Sequence, residues 1–86
     1  MIKKELEIDL GIGLHARPAA ALAAAAKGLK SVVTLSYGGK TANCKNTISL
    51  MTLGAKGNVV LEIACDGEDE DEAIDVIIEV LKNTTH

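Results

Sequence analysis

Seven consecutive residues carry most of the chemistry this sequence offers: Gly13-Leu14-His15-Ala16-Arg17-Pro18-Ala19. Pro18 has a fixed φ and no N–H, so it fits the first turn of a helix and fits poorly further in. That fixes a helix start within a residue or two of His15 and puts its imidazole at the N-cap. The free amides of Ala16 and Arg17 then point outward beside the ring. A helix start attracts anions because its orphan donors and the macrodipole both favour negative charge. Arg17 adds charge-assisted bonds to phosphate oxygens. The same field favours a neutral, nucleophilic imidazole. These effects together point to reversible phosphorylation of His15. The competing reading is that His15 merely closes the loop before the helix, and the residues alone leave both open. Hydrolysis has no candidate, since no Ser or Cys is paired with an acid and a base. His86 reads as a frayed chain end.

The elements that must position this segment follow from periodicity. Ile2, Leu6, Ile8 and Leu10 fall on alternate positions, a half-buried strand interrupted only by Lys4. Gly11-Ile12-Gly13-Leu14 breaks the alternation and reads as a loop. Ala16 to Lys27 is a helix rich in Ala, with Lys27 in its last turn and Gly28 placed for a left-handed cap. Val33, Leu35 and Tyr37 form a second strand, and Gly38-Gly39 turns the chain into a third, Lys40 to Cys44. Asn46 caps a short helix with Ile48, Leu50, Met51 and Leu53, which Gly54 ends. Val59, Leu61, Ile63 and Cys65 line one face of a fourth strand. After Gly67, Asp69 and Glu72 have the spacing of a capping box, and Ile74, Ile77, Ile78 and Leu81 form the buried stripe of a last helix. The acidic run Glu68 to Glu72 suits a helix start better than an interaction tail. The order is βαββαβα, an α+β fold with helices on one face of a mainly antiparallel sheet.

Composition removes several function classes. With 86 residues the chain has room for one small domain, residues 1–86, and little room for a deep cleft. Tyr37 is the only aromatic residue and the net charge is -3, which argues against nucleic acid as a partner. The Ala-rich stretch is too short to span a bilayer, and Met1 to Glu5 has no apolar run behind it, so neither membrane insertion nor a signal peptide is expected. Cys44 and Cys65 have no metal-ligand spacing. They are read as reduced apolar residues of a cytoplasmic protein, with a disulfide as the alternative.

Gly13 to Ala19 resembles the active-site signature of the HPr family, the histidine-containing phosphocarriers of the bacterial sugar phosphotransferase system. The resemblance runs along nearly the whole chain. Gly38-Gly39-Lys40 resembles the family's hairpin, Met51-Thr52-Leu53-Gly54 the end of its short helix, and Gly67 to Leu81 its terminal helix. The resemblance implies an open-faced β-sandwich with a four-stranded antiparallel sheet. It implies a shuttle in which Enzyme I, charged by phosphoenolpyruvate, phosphorylates His15 at Nδ1, and a IIA domain receives the group. Arg17 is then the phosphate partner, and Ala16, Ala20, Lys27, Thr47, Ile48, Met51 and Thr52 form the docking surface. The expected protein is a monomeric carrier rather than a stand-alone enzyme, with no cofactor and no metal. An exposed Ile48 and Met51 suit brief docking on several partners, since Met adapts to different surfaces; the less favoured alternative is that they form the core of their short helix.

One position departs from the family. Where many members carry a serine that an ATP-dependent kinase modifies, this chain has Asn46, which caps a helix but offers no hydroxyl. That weakens a regulatory role and leaves the carrier role intact. The alternatives are an HPr-like regulatory binding protein and an unrelated ferredoxin-like binding domain, which leaves Arg17 beside an N-cap histidine unexplained.

Overall fold

The computed structural model describes residues 1–84, so His86 lies outside the described residues. Its elements are β1 (Ile2–Asp9), α1 (Ala16–Lys27), β2 (Val32–Tyr37), β3 (Lys40–Asn43), α2 (Thr47–Met51), β4 (Asn58–Asp66) and α3 (Glu70–Thr84). The strands form one antiparallel sheet in the order β1-β4-β2-β3. The helices contact one another and the sheet as α1 on α2 and α3, α3 on β1 and β4, and α2 on β3. The expected element order and fold are therefore present.

Alternation decides which face is covered. Leu35 pairs with both Ala42 and Ile63, and Ile63 pairs in turn with Lys4. The first three are buried, whereas Lys4, on the edge strand, is exposed. An edge position lets its ammonium reach water, which explains how a lysine interrupts an apolar row without harm. Leu22 and Ala26 of α1 and Ile77 and Leu81 of α3 complete the core. Ile78 is only half-buried, at the margin of the expected stripe.

Cys65 pairs with Val33, and the Cys44 amide donates to the Val33 carbonyl from the other side, at 2.9 Å. Cys44, in the turn just past β3, and Cys65 of β4 thus flank Val33 from opposite sides, roughly 9–10 Å apart by the usual strand spacing. That is beyond disulfide reach, and both are free and buried. Burial, and then the neighbouring Cys65, push the Cys44 thiol up to about 12, and burial also raises Cys65. Neither is a thiolate at neutral pH.

Two helix ends differ from expectation. Gly28 is right-handed, with φ -81° and ψ -4°, because α1 ends in a tightened turn: the Gly28 amide donates to Ala25 O and the Leu29 amide to Ala26 O. At α3 the capping box does not form between Asp69 and Glu72. The Asp69 carboxylate reaches across to the α1–β2 connection, accepting from the Lys30 and Ser31 amides, each at 2.9 Å, and from the Ser31 hydroxyl. The carboxylate that reaches back is Glu70, which accepts from the Gly67 amide. Ser31 is fully buried, and a Cβ on Gly67 would lie 2.6 Å from its Cα, so only glycine permits this approach.

Candidate functional site

The loop before α1 is shaped by two left-handed glycines, Gly11 at φ +59° and Gly13 at φ +109°. It is tied to the α2–β4 connection by two backbone bonds, Leu10 N–H to Gly57 O at 2.8 Å and Gly57 N–H to Gly11 O at 2.9 Å. A Cβ on Gly13 would lie 2.9 Å from the Ala55 carbonyl oxygen, so glycine is required there for space as well as for φ. The buried Leu14 anchors the chain just before His15, while Pro18 and Ala19 anchor it just after.

These anchors leave His15 facing outward. It is the N-cap of α1 in extended conformation, φ -84° and ψ -171°, and its carbonyl accepts from Ala19 N–H at 3.0 Å. Its side chain makes no capping bond and is exposed. A histidine that served only to close the loop would use its ring to satisfy the helix start; this ring is free. Among the described residues, the amides of Ala16 and Arg17 have no protein acceptor, as expected for the first turn of a helix. Arg17 is exposed and forms no ion pair there.

Beside α1 lies α2. Asn46 Oδ1 accepts from Ser49 N–H at 3.1 Å, the cap expected from sequence. Helix α2 ends at Met51, with Thr52 as its C-cap, before Leu53 and Gly54. Leu50 is its buried residue, whereas Ile48 is 73% exposed and Met51 44%. The two are therefore surface rather than core. Ala16, Ala20, Lys27 and Thr52 are exposed as well, and Thr47 is half-buried. Lys27 sits at the other end of α1, roughly 18 Å from His15 along the axis, so it can only meet a partner at the margin of the patch.

An open depression of about 320 Å³ joins the two loops, with Ile12, His15, Met51 and Lys56 around the backbone of Gly13 and Gly54. Ile12, 83% exposed, the buried Ala55 and the exposed Lys56 are the lining residues that the sequence did not flag. The flanking glycines were a signal for Ile12. Lys56 had none, because its arrival depends on how the α2–β4 connection folds over the loop. Among the described residues no cluster of His, Cys, Asp and Glu is suited to hold a metal ion, and no helix is long and apolar enough to cross a membrane.

Residues 2–83 match the family model for the phosphotransferase-system HPr component phosphorylation site. The chain is 38% identical over 81 residues to the phosphocarrier protein HPr of Haemophilus influenzae, covering 94% of this chain and 95% of that one. Among solved structures it is similar to a histidine-containing phosphocarrier protein of Mycoplasma, with a TM-score of 0.91 at 33% identity, covering 98% and 96% of the two chains. It is also similar to the Bacillus subtilis catabolite repression protein Crh, with a TM-score of 0.78 at 31% identity, covering 100% and 99%.

Proposed function

This chain belongs to the HPr family and is a phosphocarrier of the phosphotransferase system; from that premise we propose that its phosphoryl group is carried on Nδ1 of His15. The lone pair of Nδ1 attacks phosphorus on phospho-Enzyme I, the bond between phosphorus and the donor breaks, and its electron pair leaves with the donor. The step runs again with a IIA domain as acceptor, which returns His15 to the free imidazole. The amides of Ala16 and Arg17 and the guanidinium of Arg17 take the phosphoryl oxygens. Charge around a loose transition state is stabilised mainly by such positioned donors. Ala16, Ala20, Lys27, Thr47, Ile48, Met51 and Thr52 form the face that Enzyme I and the IIA domain occupy in turn. The whole chain acts as a single carrier domain, monomeric and in the cytoplasm.

The observation that carries this reading is the exposed N-cap imidazole with no capping bond, next to two amides without acceptors. Incubation with phosphoenolpyruvate and Enzyme I tests it. Acid-labile phosphate is expected on His15 alone, with none in His15→Ala. Normal labelling of that variant would sink the assignment.

A further inference from the structure

The depression beside His15 is lined by a cation that the carrier chemistry above does not use. Lys56 lines it from the α2–β4 connection, while His15 enters from the start of α1. The stem of Lys56 begins close by: its Cβ lies 3.3 Å from where a Cβ on Gly13 would sit, and the Gly13 carbonyl accepts from His15 N–H. The two loops that bear these residues are fastened together by the bonds between Leu10, Gly11 and Gly57, so the relation between Lys56 and His15 is fixed by backbone. Lys56 itself is exposed and has no ion pair or hydrogen bond to a side chain among the described residues. Asp9, which pairs with Asn58 two residues beyond Lys56, accepts from the Gly11 amide at 2.9 Å.

We propose that Lys56 is a further phosphate-binding residue of this carrier, its ammonium swinging onto the phosphoryl oxygens of phosphorylated His15 while Arg17 approaches from α1. Three physical facts support it. A lysine carries its charge on a flexible four-carbon stem, so it can follow a group that arrives and leaves. The exposed Ile12 and Met51 on the same rim displace water, which strengthens a charge–charge contact made between them. Lys56 has no ion pair among the described residues, which leaves its ammonium available to the loaded state. The inference rests on His15 carrying the phosphate.

Phosphorus NMR on the phosphoprotein tests both levels separately. Wild type, Lys56→Gln, Lys56→Arg and Lys30→Gln are each phosphorylated, and the phosphoryl resonance is followed against pH. Lys30, beyond the far end of α1, controls for the general loss of one charge. A nearby ammonium favours the dianion, so Lys56→Gln should move the midpoint up by roughly 0.3–0.5 pH unit. Lys56→Arg should restore it, and Lys30→Gln should leave it in place. Failure of the wild type to form phosphohistidine at His15 would overturn the parent reading and this one with it. A labelled His15 whose midpoint is the same in Lys56→Gln, or moves equally in Lys30→Gln, would overturn the role of Lys56 alone.

Discussion

At the scale of single residues, position relative to the helix start separates chemistry from folding. Arg17 is exposed and forms no ion pair among the described residues, so its removal takes little from the folded state. Arg17→Ala should stay within about 0.5 kcal/mol of wild type in urea denaturation, while phosphoryl transfer slows roughly tenfold or more. Unfolding of the variant, or transfer at the wild-type rate, would contradict the role given to it. Asn46 is the opposite case, a residue whose work is structural. Its amide oxygen caps α2, and a serine would cap it about as well. Wild-type protein should therefore remain unlabelled by ATP and the kinase that modifies serine at this position in related carriers. Asn46→Ser should fold normally and accept the label. Labelling of the wild type at Thr47 or Ser49 would restore a regulatory role.

At the scale of elements, each piece holds the site by a different means. Leu50 is the buried residue of helix α2, which offers Ile48 and Met51 to solvent. Leu50→Ala should cost about 2–5 kcal/mol. Ile48→Ala and Met51→Ala should change stability by no more than about 0.5 kcal/mol and should weaken docking, read as a higher half-saturating carrier concentration in transfer assays. At the other end of α1, Asp69 joins the α1–β2 connection to the start of α3. The Ser31 hydroxyl, and then the Lys30 and Ser31 amides, hold its carboxyl below the ordinary value of 3.8. The unfolded chain therefore binds this proton more readily than the folded one. The stabilisation is complete above the ordinary value and is lost as pH falls toward the lower, folded value. Asp69→Asn should have a lower urea midpoint than wild type at neutral pH, and the gap should narrow at about pH 3. A constant gap would mean that the carboxylate charge is not what these donors hold.

At the scale of the molecule, charge is segregated along the chain. All 12 Asp and Glu residues lie within 1–9 and 62–79, whereas residues 10–61 carry Arg17, Lys27, Lys30, Lys40, Lys45 and Lys56 and no carboxylate. That middle stretch builds α1, β2, β3, α2 and the loops around His15, so the residues proposed to receive partners include Arg17, Lys27 and Lys56 and no carboxylate, although the chain as a whole is acidic. A field of this kind steers encounter and is screened within about 8–10 Å at ordinary ionic strength. Transfer from Enzyme I should therefore slow as salt rises from roughly 0.05 to 0.5 M, through the second-order rate and not the turnover of a saturated pair. A rate indifferent to salt would remove steering from the account.

Much of this protein is local in origin, and local interactions are legible in order. The helix start at His15 follows from Pro18 and the run of Ala, the Gly38-Gly39 turn from two residues able to take positive φ, and the buried rows of β2 and β4 from period-two alternation. The cap on α2 follows from Asn46 two residues before Ile48. None of these needs a partner far away in the chain. What the sequence could not supply are contacts that close between distant segments. Asp69 abandons its expected cap because Lys30 and Ser31 arrive with three donors, and Gly67 lets them approach. Ile48 and Met51 could have been core until α2 turned only Leu50 inward. Lys56 joins His15 only because Gly13 admits the Ala55 carbonyl against its own backbone. The order of residues along the chain fixed which groups could do chemistry and where helices and strands begin. Tertiary packing decided which of them meet, since a meeting between residues forty apart is paid for by the whole core.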